Sequence, residues 1–525
     1  MTADVIIVGG GPNGLMLACE LGLAGIRPIV LEHLREPSTE PKANGLVGQV
    51  VRLTDHRALY EPFGGGPQPP RPNSAYFMFA ALGLDLGQLD ASPVYNLAVP
   101  QHHIVAVLEE RALALGADLR RGHRVTAVAH DADAVTLDVT GPDGEQRLRA
   151  RYVVGADGAH SVVRKLSGIG FPGASLDRRT NRTAHVTVEA DRIDPVTGAL
   201  DVPGYGQPVL PFLPHRTDRG GFAYAPFPGR PALLSTTEWD QPATDGPMTL
   251  AEMRESVRRV LGTDLPFGPP EGEGPHVLRR LTGGNTRVAE RFRDRRVLLV
   301  GDAAHVYAAG GGPGLNLGMQ DAANLGWKLA ATLRGTAPPG LLDTYDTERR
   351  RAAERMVLYA ETQAALTAPG SDTTALRTLF TELLQHKGVV QHLADLTAGT
   401  DVRYDTGTAD PHPAAGRFAP ELELTTPTGK VRLAELARTA RPLLVDLTED
   451  HAPTALLAGD RDTVDLVPGH GGDPAGPRCL LVRPDGYVAW ACDSPRPDPA
   501  ELAGLRAAVG RWFTGAPVAD ATIGA

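Results

Sequence analysis

Glycines at positions 9, 11 and 14 are spaced to hold a phosphate. The apolar run Asp4-Val5-Ile6-Ile7-Val8 reads as a buried strand, and Gly9-Gly10-Gly11-Pro12-Asn13-Gly14 follows it at once. Gly9 allows the tight turn, Gly11 lets a pyrophosphate approach the backbone, and Gly14 lets helix and strand pack closely. The unpaired N–H groups that open the next helix, with its positive dipole end, suit a phosphate. Glu32 lies eighteen residues past Gly14, where an acid accepts from ribose hydroxyls. Strand, glycines, helix (Leu15–Leu21), strand (Ile29–Glu32) and acid in register predict a nucleotide site.

Two later runs repeat the theme. Tyr152–Gly155 predicts a strand that enters Ala156-Asp157-Gly158 and then a helix, placing a carboxylate and a flexible backbone beside a cofactor. Arg164, one helical turn after Ser161, could face a phosphate. Arg296–Val300 predicts a buried strand ending in Gly301-Asp302, where an acid can accept from a sugar hydroxyl. A second glycine run, Gly310-Gly311-Gly312-Pro313-Gly314, opens another helix whose backbone donors could hold a pyrophosphate or a polar ring edge.

These groups need a large frame, and 525 residues allow two to four domains. Hydrophobic content of 42% and charged content of 22% are those of an ordinary soluble protein. A net charge of −10 argues against a nucleic-acid partner. No apolar stretch is long enough for a membrane span, and the N-terminus lacks a basic signal-peptide region. Cys19, Cys479 and Cys492 form no CxxC and no metal set, so a cytoplasmic, metal-free protein is expected, with Cys19 on a helix interface. Residues 100–160 read as a helix (Ile104–Leu115) and an antiparallel meander. Residues 180–280 carry strands and the aromatics Phe212, Phe222, Tyr224 and Phe227, which line a pocket or fill a core. Residues 310–366 are helical, and strands and helices alternate over 420–515. Glu61–Asn73 reads as an insertion, Ala368–Thr373 as a loop, and Arg403–Pro420 as a linker.

Taken in order, GxGxxG with Glu32, Gly-Ala-Asp-Gly, Gly-Asp-Ala-Ala-His, then Gly-Leu-Asn-x-Gly-Met-Gln-Asp and Asn324–Leu329, the chain resembles the class A flavoprotein monooxygenases with the p-hydroxybenzoate hydroxylase fold. Within them it looks like the aromatic polyketide hydroxylases and rifampicin monooxygenases. The likeness spans roughly residues 1–400. The last part, with Gly416-Arg417-Phe418 and Leu481–Trp490, looks like the thioredoxin-like extension of phenol and polyketide hydroxylases, here without CxxC, so a structural or dimer-related role is expected. The resemblance implies an α/β fold: a Rossmann-like FAD domain (1–175 and 280–400) interleaved with a mixed-sheet substrate domain (176–279, plus about 70–100), then a thioredoxin-like domain (410–525).

It also implies roles. Gly9, Gly11, Pro12, Asn13, Gly14, Glu32 and His33 would hold the ADP half of FAD, with Lys42 and Gln101 on the flavin side. Asp157 and Gly158 would sit near the pyrophosphate and the NAD(P)H approach. Asp302 would bind the ribityl chain, and Pro313, Gly314, Leu315 and Asn316 would lie along the isoalloxazine. Several positions depart from the pattern. Lys42 replaces an Arg, Gln49 stands for a second Arg, and Arg52 falls where an acid is common. Ala308 or Ala309 replaces the active-site-loop Pro, and Pro313 replaces a Gln. With one GxGxxG, no second Rossmann domain holds NAD(P)H.

The implied reaction is reduction of FAD by NADPH or NADH, addition of O₂ as a C4a-hydroperoxide, and transfer of one oxygen to a polycyclic aromatic ring, as in antibiotic tailoring. His102, His103, His215 and His305 are candidate bases, with Arg52 and Tyr224 as further pocket candidates. Baeyer–Villiger insertion or oxidative rearrangement of a quinone-type substrate is the alternative on the same scaffold. A non-oxygenating FAD protein that shields an intermediate is the alternative of another class. Monomer and homodimer are both open.

Overall fold

A computed structural model describes residues 2–515 except 39, 41, 228, 243–244, 309–312 and 473–475. The second glycine run, Gly310–Gly312, and Ala309 therefore lie outside the described residues.

The apolar runs at the three motifs become adjacent parallel strands. Thr2–Val8 lies between Ile29–Glu32 and Gly144–Gly155, and Val297–Leu299 lies beyond the latter. Val5, Ile6, Ile7, Val153, Val154, Leu298 and Leu299 are all fully buried, as expected of parallel strands covered on both faces. Asp118–Arg121 extends the sheet in parallel, and the predicted meander (Arg124–His130, Val135–Gly141) folds antiparallel onto the first half of the long Gly144–Gly155 strand. Helix Pro12–Leu23 packs on this sheet against Gln101–Ala114 and against Pro313–Arg334. Cys19 faces the Gln101–Ala114 helix, its Sγ 3.5 Å from the Leu108 carbonyl.

A second, five-stranded sheet follows the order His215–Thr217, Gly220–Ala225, Ala232–Trp239, Arg179–Val186, Leu278–Thr282. One face is covered by the helix Leu250–Leu261, which is capped by Thr249 and ends at the left-handed Gly262. Phe222, Tyr224, Leu234, Met253 and Val257 fill that interface. Strand alternation turns Asn181, Thr183, Ser235 and Thr237 to the other face.

The C-terminal part is a four-stranded sheet, Asp465–Pro468, Leu443–Asp446, Cys479–Val482, Val488–Cys492. Its first pair is parallel and the others antiparallel, and helix Pro499–Trp512 packs against it in the thioredoxin-like manner. Cys479 and Cys492 are neighbours across two strands, yet both are free, and burial pushes each thiol up.

Arg403–Pro420 is not a linker. Tyr404 is buried and stacked 4.1 Å from Tyr487, while Ala415 and Ala419 are buried as well. The segment is clamped by a buried ionic cluster. Arg483 donates to both oxygens of Glu348 at 2.7 and 2.8 Å, and Lys328 donates to the same carboxylate at 2.6 Å. The Asn324 amide bridges Glu348 to Asp485, and the Arg483 guanidinium lies over the rings of Tyr404 and Trp512. A polar stretch conceals such partners in sequence, because Tyr404 meets Arg483 and Tyr487, far along the chain.

Burial pushes the Glu348 carboxyl up, but Arg483 and Lys328 outweigh it and hold it at about 2. The folded protein therefore binds that proton less readily than the unfolded chain. Glu348's contribution is complete above pH 4.5 and is lost as the pH falls toward 2. Glu348→Gln leaves the buried Lys328 without its carboxylate partner and Arg483 paired with Asp485 alone. Denaturant unfolding at pH 7 is expected to show a loss of about 3–5 kcal/mol, and the variant's stability should fall less steeply than the parent's between pH 4.5 and 3.

Candidate functional site

The register of the main sheet brings the three motifs together. Val8 pairs with Gly155, Gly155 with Leu299, and Val8 with Leu31. The turns after them, with Gly9, Asp157, Asp302 and Glu32, thus emerge at one carboxyl edge, where open α/β sheets bind ligands. They line a cleft of about 600 Å³.

Each glycine there has a separate reason. Gly9 has φ +113°, and a Cβ on it would stand 2.3 Å from the Ala156 carbonyl, so the first and second motifs touch backbone to backbone. A Cβ on Gly14 would stand 2.0 Å from the Gly9 carbonyl; this glycine serves packing and does not line the cleft. A Cβ on Gly11 would meet nothing within 4 Å, and its side faces the cleft. The Asn13 side chain is wedged between Gly301, at φ +61°, and Gly318, where a Cβ would stand 2.0 and 2.3 Å from its Nδ2. The third motif and the Pro313–Arg334 helix are thereby keyed to the first.

Gly9, Gly11, Pro12, Asn13, Glu32, His33, Lys42, Gln101, Asp157, Gly158, Asp302, Pro313, Gly314 and Leu315 all line the cleft. Glu32 accepts from the backbone N–H of Gly10 and Leu34, both at 2.8 Å, fixing the turn. Asp157 Oδ2 accepts from Val162 and Val163 N–H and caps the following helix, while its Oδ1 has no partner. Asp302 faces the open cleft but is ringed by protein, and desolvation raises its carboxyl against the pull of His305 and Lys42. Two helices, starting at Pro12 and Pro313, point their N-termini into this space. Unpartnered acceptors, an open side at Gly11 and two helix starts fit an extended dinucleotide such as FAD.

Other expectations are corrected. Asn316 turns away from the cleft: its Oδ1 accepts from Val47 N–H at 3.2 Å, and it lines an adjoining recess. Arg52 is buried and donates to Gln49, Glu421 and the Ala419 carbonyl, joining the C-terminal part instead of facing a substrate. Tyr224 is fully buried in the core behind the five-stranded sheet. His215 accepts from Leu210 N–H, away from the cleft, and its proton affinity is lowered by burial. Arg164 does not face a phosphate. It is buried against Phe171 and donates to the Ala303 and Ala159 carbonyls, stapling the second motif to the third. His103 bonds the Pro62 carbonyl, leaving His102 as the candidate base that reaches the cleft.

His305 is structural, and its partner was missed in sequence. Asp321 Oδ2 accepts from His305 Nε2 at 2.7 Å and from Gly301 N–H, while Oδ1 accepts from Arg349 at 2.7 Å. Arg349 also donates to the Tyr404 hydroxyl and the Leu317 carbonyl. Spacing points weakly to this, since Asp321 follows Leu317 by one helical turn. Burial pushes the Asp321 carboxyl up, but Arg349 and His305 prevail and hold it below the ordinary value.

The glycines separate folding from binding. Gly11→Ala should melt as the parent apoprotein does, yet its affinity for FAD, followed by flavin fluorescence, should fall tenfold or more, about 1.4 kcal/mol. Gly14→Ala should destabilise the apoprotein itself.

Residues 2–360 match the model of the FAD-binding domain family, and residues 412–517 that of the aromatic-ring hydroxylase C-terminal family. The chain is 42% identical, over 98% of its length and 99% of the relative's, to the 12-dehydrotetracycline 5-monooxygenase/anhydrotetracycline 6-monooxygenase of Streptomyces rimosus. It is 38% identical, over 93% and 95%, to a rifampicin monooxygenase of Streptomyces venezuelae. It is also 34% identical, over 98% and 99%, to the dialkyldecalin synthase of Streptomyces rugosporus. The solved structure of the OxyS anhydrotetracycline hydroxylase from Streptomyces rimosus superposes with a TM-score of 0.83 at 40% identity, covering 98% of this chain and 99% of that one. The expected resemblance holds, and the chain belongs to the FAD-binding family of class A flavin-dependent monooxygenases.

Proposed function

We propose that this chain hydroxylates a polycyclic aromatic substrate of polyketide type, using FAD, NAD(P)H and O₂, as a tailoring step in antibiotic biosynthesis. The observation that carries this is a dinucleotide cleft whose third-motif loop abuts a five-stranded sheet with a polar face. Arg179 on that sheet donates to the Ala308 carbonyl, so sheet and loop meet there. Asn181, Thr183, Ser235 and Thr237 present hydroxyl and amide groups on the same face, bonded to one another across strands. Such a surface suits a flat molecule rimmed with hydroxyl and carbonyl groups.

In this reading the Pro12 helix start and the open side of Gly11 take the pyrophosphate. Glu32 and His33 hold the adenosine end, and Asp302 accepts from the ribityl hydroxyls. The N–H groups at Gly314 and Leu315 lie along the polar edge of the ring, with Lys42 and Gln101 opposite. FAD, when bound, supplies the chemistry that passes NAD(P)H electrons to O₂. The protein's part is to orient substrate and ring and to exclude water. A monomer or homodimer in the cytoplasm, where NAD(P)H is supplied, suits this reading. No helix among the described residues is long and apolar enough to cross a membrane.

A second reading is favoured by the dialkyldecalin synthase relative, whose name is not that of an oxygenase: the same cleft could bind and shield a reactive intermediate. NADPH oxidation and O₂ uptake by the yellow protein, with and without polycyclic phenols and quinones, decide between them. Substrate-stimulated oxidation with one oxygen gained as a new hydroxyl is the expected result. A lactone or ring-opened product of the same gain would make the reaction a Baeyer–Villiger insertion. Bound flavin that no such substrate helps NADPH to reduce would overturn the oxygenase reading.

A further inference from the structure

The dinucleotide cleft has a basic annex. A recess of about 230 Å³ opens between the first motif's side of the cleft and the edge of the five-stranded sheet. Lys42, Ala43, Gln101 and His102 line both cavities, so the two are continuous. The far wall carries Arg230, in the turn before Ala232–Trp239, and Arg279, on the edge strand Leu278–Thr282 beside Thr183. Among the described residues Glu273 is the one carboxylate in the lining.

The far wall is built for an anion. Arg230 and Arg279 are exposed, and among the described residues neither guanidinium has a hydrogen-bond or ion-pair partner in the protein. Many of the chain's arginines are tied to carboxylates or carbonyls, and the chain as a whole is negative, at −10. Here two free guanidiniums share the wall of one cavity. Between them, His185 accepts from Val277 N–H through Nδ1, which leaves Nε2–H as a donor; His276 packs edge-on to it at 5.9 Å. Burial, with His276 and Arg230, lowers the proton affinity of His185, so its contribution is a neutral N–H.

We infer that this recess holds the phosphate-bearing adenosine half of NADPH, with Arg230 and Arg279 taking its 2′-phosphate and Lys42 and His102 marking the passage to the flavin. The inference rests on the NAD(P)H-dependent reading above, and it deepens that reading by naming the site and choosing the phosphorylated dinucleotide. A single glycine-rich motif, already assigned to FAD, leaves the reductant without a Rossmann domain, so its recognition falls to side chains. Guanidinium forks match a phosphomonoester in a way that a neutral pocket does not. The match is strongest for a dianion, which NADH lacks at this position.

Binding of 2′,5′-ADP to the FAD-loaded protein, measured by calorimetry, tests the site without turnover. The parent should bind 2′,5′-ADP, and Arg230→Ala/Arg279→Ala should weaken it tenfold or more, with Arg→Lys at both positions restoring part of the affinity. In steady-state assays the double variant should lose its preference for NADPH through KM, while NADH and the aromatic substrate keep their KM and the FAD content stays that of the parent. Unchanged affinity for 2′,5′-ADP with an unchanged KM for NADPH overturns the site. Equal losses for NADPH and NADH overturn the assignment of the 2′-phosphate. Protein that binds 2′,5′-ADP through these arginines but oxidises no NADPH would leave this site standing and refute the function reading instead.

Discussion

A single buried carboxylate holds the site together. Asp321 lies in the helix that follows the cleft, and it grips three things at once: the Gly301 backbone, the His305 ring and the Arg349 guanidinium. Gly301 and His305 bracket Asp302, so the carboxylate sets the turn that aims Asp302 into the cleft. Arg349 carries the constraint onward to Tyr404, which stacks on Tyr487 of the C-terminal part. Burying a carboxylate is costly unless every oxygen is engaged, and here both are, by a full cation and a ring N–H. The site loop, the long helix and the C-terminal contact therefore share one electrostatic centre.

That centre explains why a thioredoxin-like element without redox cysteines is attached to a flavin domain. Arg483 reaches Glu348, the residue beside Arg349, and Arg57 joins Glu20 on the first helix to the Ala437 and Pro484 carbonyls. These contacts press the C-terminal part against the helices that carry the first and third motifs. They are fully desolvated, so their geometry is strict, and their removal would release the very helices whose N-termini face the cleft.

The elements legible in sequence are those whose reasons are local. The order of strands, glycines and acids was readable, because a turn that needs φ > 0 or close backbone approach admits few residues, as at Gly9 and Gly14. The cleft lining followed from the carboxyl ends of parallel strands. Side-chain direction did not follow. Arg52, Arg164 and His305 looked like site residues because cations and imidazoles often are, but each is spent on a buried partner, for the two arginines one far away in the chain. Tyr224 alternates with cleft-side positions on its strand, and only the packing of the Leu250–Leu261 helix decides which face is core. The stretch Arg403–Pro420 read as a linker because Pro, Gly and Asp are abundant, whereas its anchors, Tyr404 and Phe418, are isolated aromatics with distant partners.

Titration of purified Asp321→Asn apoprotein with FAD, beside a circular dichroism spectrum, is the most direct test. Asn keeps the size of the side chain and removes the charge that holds Arg349. If Asp321 sets the cleft, the variant keeps its helix content but binds FAD at least tenfold more weakly, about 1.4 kcal/mol. A folded variant with the parent's affinity for FAD would show that the cleft is held by its glycine turns alone.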